Sequence, residues 1–142
     1  MEYIIGYYVF VFQQYFIHKI QHNSKMYKTH IVQHHNTYDV NDITKEIHSN
    51  TLYQNLDLYF YGKIIFIFVN ACFLNINIIL FQFFLLYIQY YFHSEYHVRN
   101  SVWEKHSFFK YLKRKHEIHH KYPNKNHFLL DPTCDLIFNT YK

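Results

Sequence analysis

LYFYGKIIFIFVNACFLNINIILFQFFLLYIQYYF, residues 58–92, runs straight into His93, and the side on which it returns the chain decides the fold. Its last 29 positions, 64–92, hold no Asp, Glu, Lys, Arg or His, a run longer than the roughly 18–20 apolar residues that mark a membrane span. Outside it, ten of the thirteen histidines fall in four short boxes. These are His18 with His22 (HKIQH), His30 with His34 and His35 (HIVQHH), His93 with His97 (HSEYH), and His116 with His119 and His120 (HEIHH). Boxes can share a site only if they lie on one side of the bilayer, so the chain must cross it an even number of times between His35 and His93. Each half of the 58–92 run holds about 17 residues and spans roughly 25 Å as a helix. That length does not comfortably make two full spans, but it suffices for a tight hairpin turning near Asn75–Asn77 or for a pair that dips deeply without full crossing, whereas a single tilted span would strand the third box.

The 142 residues make one domain, 1–142, with a second apolar run at 3–17 (YIIGYYVFVFQQYFI) and polar, basic segments at 18–57 and 93–142. This blocked pattern predicts an all-α fold, an integral membrane helical bundle capped by a cytosolic, histidine-rich di-metal unit. Residues 3–17 lack a basic leader and a small-residue cleavage site and run directly into a box, so they are read as a retained helix and not a signal peptide. At about 22 Å that helix is short for a full crossing. The net charge is +4, and thirteen of the fourteen Lys and Arg lie on the side of the boxes. Beside apolar runs, such basic segments suit an anionic membrane surface better than nucleic acid, and the asymmetry places the boxes in the cytosol. Cys72 and Cys134 have no C-x-x-C spacing and define no disulfide framework. The abundance of Ile, Asn, Lys, Tyr and Phe suggests an AT-rich coding sequence, so single aromatic positions carry little weight.

In chain order, the first box extends the N-terminal helix, the second follows a short polar turn, and residues 36–57 read as a water-side loop with a short helix. Residues 98–115, with Val98, Val102, Trp103, Phe109 and Leu112 set among charges, predict an interfacial amphipathic helix. Its basic end, Lys113, Arg114 and Lys115, suits an acidic partner or anionic headgroups. Pro123 and Pro132 break the tail, which is expected to fold back over the boxes.

H-x-x-x-H and H-x-x-H-H put two and three imidazoles on one helical face. Neutral imidazole suits iron, zinc, copper or nickel, and ten imidazoles exceed the four to six ligands of one ion, so two metals are implied. His48, His106 and His127 fall outside the boxes and are read as surface residues; His127, seven past His120, is the one nearest the site. Glu95 and Glu117 are read as either carboxylates that orient ligand imidazoles or solvated charges. Transport across the membrane would need ligands at mid-depth, where residues 64–92 offer only Cys72.

The order and placement of the four boxes resemble the fatty acid hydroxylase and sterol desaturase superfamily of membrane di-iron enzymes. The tail HEIHHKYPNKNHFLLDPTCDLIFNTYK resembles that family's closing segment, matching it at Asp135, Phe138 and Thr140. Asn139 stands where the family has Gly, and His127 falls near its usual aromatic–glycine pair. Members usually carry further membrane helices upstream of the first box, so on this sequence the substrate tunnel is expected to be incomplete. The resemblance implies two iron ions, or zinc in a purified sample, bound by His18, His22, His30, His34, His35, His93, His97, His116, His119 and His120. It further implies O2-dependent hydroxylation or desaturation of a fatty acyl, sphingolipid or sterol C–H bond, with electrons from a cytochrome b-type donor or reductase, in the endoplasmic reticulum membrane. The other reading is a non-enzymatic or degenerate histidine-rich membrane metal-binding protein.

Overall fold

The computed structural model describes residues 1–23, 30, 34, 35, 38, 41–44 and 58–142. Among these the chain is helical, with no strand: α1 Glu2–Asn23, α2 Leu58–Asn70, α3 Ile76–Tyr96, α4 Ser107–Lys121 and the short α5 Thr133–Ile137. α1 holds no proline, carries Glu2 in its first turn, where the helix dipole favours an anion, and runs through the first histidine box to its last turn. At 22 residues it is about 33 Å long, so apolar run and box are one rigid element.

α2 and α3 form the expected hairpin. Its turn occupies residues 71–75, slightly ahead of Asn75–Asn77, because Asn75 serves as the N-cap of α3: its side chain accepts from the Ile78 amide at 3.1 Å. The Asn75 amide also donates to Glu2, tying the turn to the start of α1 (2.7 Å). α1 packs along both arms of the hairpin. Phe10, Val11, Tyr15, Ile67, Ile79 and Leu86 fill that interface, with Cys134 of the tail.

The amides of the apolar run turn inward. Asn70 and Gln13 exchange two hydrogen bonds (2.7 and 2.9 Å), Asn70 donates to Gln82 (2.8 Å), and Gln82 donates to the Gly6 carbonyl (2.9 Å). One amide chain thus staples three helices. Outward, the helices present Ile4, Tyr8, Ile65, Phe68, Leu80, Phe84 and Tyr87, each more than 40 % exposed. Among the described residues, α3 is the one helix long and apolar enough to cross a membrane, and residues 61–70 form a shorter apolar helix.

A second core holds Ile17, Tyr96, Phe109, Leu112, Phe128 and Leu129 around the base of α4. Residues 98–115 are not one helix. A 3-10 turn at Val102–Lys105, capped by Ser101, precedes α4. Phe109 and Leu112 point into the core while Val102 is exposed, so the apolar face serves packing more than an interface. Of residues 36–57, only 38 and 41–44 are described; His48 and the expected short helix lie outside the described residues.

Candidate metal centre

Three elements deliver imidazoles to one end of the molecule. His18 and His22 sit a turn apart at the end of α1, His93 lies in the last turn of α3, and His97 caps that helix. On α4 the buried face runs Phe109, Leu112, His116, His119 and His120, so the face that packs the core becomes imidazole one turn later. His34 accounts for the parity of the hairpin: its Nε2 lies 3.1 Å from the Nε2 of His93, so the second and third boxes meet on one side.

The ten box histidines are all buried. They divide into two adjoining groups. His18, His22, His30, His35 and His119 offer ring nitrogens within 4.8 Å of one another, and His34, His97, His116 and His120 do the same. His93 borders the second group through His34 and through His116, whose ring centroid is 4.6 Å away. The groups touch where His35 stacks on His120 at 4.2 Å. The boxes are therefore shared between groups, which spacing alone does not reveal. At about 100° per residue, His119 and His120 diverge by roughly 100° around α4, with His116 between them. That arc turns His119 into one pocket and His116 with His120 into the other.

Backbone carbonyls set the tautomers. Nδ1 of His18 bonds the carbonyl of His127 (2.6 Å), Nδ1 of His97 that of Ile43 (2.9 Å), and Nδ1 of His119 that of Lys125 (2.7 Å). A carbonyl only accepts, so each Nδ1 carries the proton and each Nε2 turns a lone pair inward. Those lone pairs meet other ring nitrogens: His18 to His30 at 3.2 Å, His119 to His22 at 3.1 Å, and His97 to His116 at 3.0 Å. Nε2 of His116 is also 3.1 Å from that of His120, and one proton cannot satisfy both neighbours. Two nitrogens each about 2.1 Å from a shared ion stand ~3.0 Å apart at a right angle and ~3.4 Å apart at the tetrahedral angle. The observed separations, together with the buried and unpartnered Nε2 of His35, fit pockets shaped around cations.

Burial first, and neighbouring imidazoles second, hold His18, His30, His34, His35, His116 and His120 well below the ordinary imidazole value. His93 is lowered by burial, then His97 and the Lys63 charge. Burial, then His119 and His127, take His22 to about 2, while burial takes His119 to about 4 against the opposing pull of its carbonyl bond. These nine are neutral near pH 7, the form in which imidazole ligates metal.

His127 is not a surface residue. It is 2 % exposed, its ring packs 5.6 Å from His18 and 5.7 Å from both His22 and His119, and its Nδ1 is buried without a partner. The tail holds it there: Asp135 accepts from the amides of His127 and Phe128 (both 2.9 Å) and from Thr140 Oγ1 (2.7 Å). The only hint in the sequence is Asp135 eight residues on, in the closing segment. His106 is exposed, as expected. Glu95 is buried and accepts from Ser101 Oγ, and Glu117 is half-buried. The three imidazoles held through Nδ1, those of His18, His97 and His119, are oriented by backbone carbonyls. The basic cluster is also divided: Lys113 turns inward to the Val98 carbonyl and Glu104 (2.7 and 2.6 Å), Lys115 reaches the Lys142 carbonyl (2.6 Å), and Arg114 stays exposed.

The fold and site together define an all-helical protein whose helix ends converge on buried imidazole clusters suited to metal. Residues 3–140 match the fatty acid hydroxylase family. The chain belongs to that family. Neither the curated proteins nor the solved structures give a match.

Proposed function

We propose that this chain is a membrane-bound, histidine-ligated di-iron oxidoreductase that uses O2 to hydroxylate or desaturate a C–H bond of a lipid, whether fatty acyl, sphingolipid or sterol. The observation that carries the reading is the pair of adjoining, fully buried imidazole groups standing at the end of helices that are apolar on the outside and amide-linked within. In this reading residues 3–17 and 58–92 lie in the bilayer, because an exposed apolar belt around three helices is rare on a soluble monomer. The boxes then sit just beyond the headgroups on the cytosolic side, with the endoplasmic reticulum as the expected membrane.

Five imidazoles in one group exceed the four of a closed tetrahedral zinc site and favour an ion of higher coordination. His18, His22, His30, His35 and His119 would hold one iron, and His34, His93, His97, His116 and His120 the other. With iron bound, the pair supplies O2 activation and hydrogen abstraction at an unactivated C–H bond. The chain's own contribution is to keep the imidazoles neutral, fix their tautomers through the carbonyls of Ile43, Lys125 and His127, and exclude bulk water. A cytochrome b-type donor or reductase is the expected electron source.

The test is expression under limited zinc, metal analysis, anaerobic reconstitution with ferrous iron, then addition of O2 and reductant with lipid product analysis. Two irons per chain and an oxidised lipid are expected. Two metals bound with no O2 consumed would replace the oxygenase reading with that of a degenerate metal-binding member.

A further inference from the structure

Gln14 stands one helical turn on the bilayer side of His18, about 6 Å along the axis of α1. It is 5 % exposed, and both its amide nitrogen and its amide oxygen are buried without a partner. It lines a cavity of about 30 Å3 between α1, α3 and the tail, walled by Phe10, Val11, Leu85 and Phe128. The neighbouring polar groups of this cavity are already engaged with partners. Lys63 donates to Gln89 (3.1 Å), which stands one turn from His93, and Tyr7 donates to Asp131 (2.5 Å). An amide left unsatisfied in an apolar wall costs about 1–3 kcal/mol, so it calls for a missing partner. Tyr7, Tyr15, Gln89 and Asp131 also line the cavity, so an ordered water competes with any ligand for the Gln14 amide. Room for one or two water-sized groups does admit a hydroxyl or a carbonyl carried by a longer apolar molecule.

We propose that this cavity binds a small oxygen function of the lipid, a hydroxyl or a carbonyl, with Gln14 as its hydrogen-bond partner, and that the lipid is oxidised within a few bonds of that oxygen. Gln14 is thereby a specificity-determining residue. It selects lipids that carry an oxygen near the reacting carbon over those that present an unbroken hydrocarbon chain. The oxidation part rests on the oxygenase reading above; the binding part does not.

The test uses the full chain, zinc-loaded so that no turnover occurs, in phosphatidylcholine nanodiscs with octadecan-1-ol or octadecane at equal mole fraction, reading the unfolding midpoint. The alcohol is expected to raise the midpoint several degrees more than the alkane does. In Gln14→Leu that difference disappears, while the ligand-free midpoint stays level or rises, since the unpaired amide is gone. An alcohol preference that persists in Gln14→Leu, or none in the unsubstituted protein, overturns the proposal. Gln14→Met repeats the comparison at similar length, and failure of both variants to fold would assign the amide to the fold and sink the idea. If the preference holds but iron-loaded protein oxidises no lipid, the oxygenase reading falls and the binding site stands. Oxidation of a deuterium-mapped chain far from its oxygen function overturns the positional claim.

Discussion

Asp135 has no exposed surface, and its carboxylate accepts from two backbone amides and one hydroxyl. Burial raises its pKa and those three donors pull it back. Through the His127 amide it holds the carbonyl that fixes the tautomer of His18, so a carboxylate remote from either imidazole group sets one of their nitrogens. Asp135→Ala should cost about 3 kcal/mol, because buried donors lose their acceptor. It should also lower bound metal per chain, read by unfolding midpoint and metal analysis; full metal content would show that the tail does not position His18. Asn139, where the family has Gly, adopts φ 55°, in the left-handed region. Asn tolerates that region better than other residues with a Cβ, so the departure preserves the turn. Asn139→Gly should be neutral within about 0.5 kcal/mol and Asn139→Val should cost about 1–2 kcal/mol, measured as shifts in the same midpoint.

At the scale of elements, α1 and α3 are in close contact at Gly6, where an added Cβ would lie 2.3 Å from Ile78 Cγ2. The bare backbone there also lets the Gly6 carbonyl meet Gln82. Gly6→Ala is expected to destabilise by about 1–3 kcal/mol through overpacking, and Ile78→Ala in the same chain should recover part of the loss. Metal content should stay the same, since this crossing lies at the end of α1 remote from the boxes. Thermal unfolding of the two single variants and the double variant measures that coupling; additive losses would mean the two residues do not clash. The inward amides Asn70 and Gln82 follow the same logic, since in an apolar surrounding a side-chain amide is best satisfied by another helix.

At the scale of the whole molecule, segments from residues 18 to 127 meet at one cluster of neutral imidazoles. The nine box imidazoles whose pKa burial lowers take up a proton in the unfolded chain near 6.5 and in the folded chain only at lower pH, about 4 for His119 and about 2 for His22. As pH falls below 6.5 the unfolded state therefore binds more protons than the folded state, and stability declines towards the folded values. The metal-free protein should hold a level unfolding midpoint above about pH 7 and lose it between 6.5 and 4. Loaded protein should release metal over the same window, because protons compete for the ligating nitrogens. A midpoint indifferent to pH in that range would contradict buried neutral clusters.

The sequence by itself determined the helical class, the hairpin and the histidine boxes, because helix formation and apolar run length are local properties that spacing reports directly. The Asn75 cap, which moved the turn, was legible in principle as a capping residue before an apolar run. Only the tertiary structure decided which imidazole joins which group, that His127 lies inside the centre, and that Lys113 turns inward. Each of those depends on how segments distant in sequence pack: His119 and His120 are neighbours in the chain, yet the angle between them means nothing until α1, α3 and the tail are in place around α4.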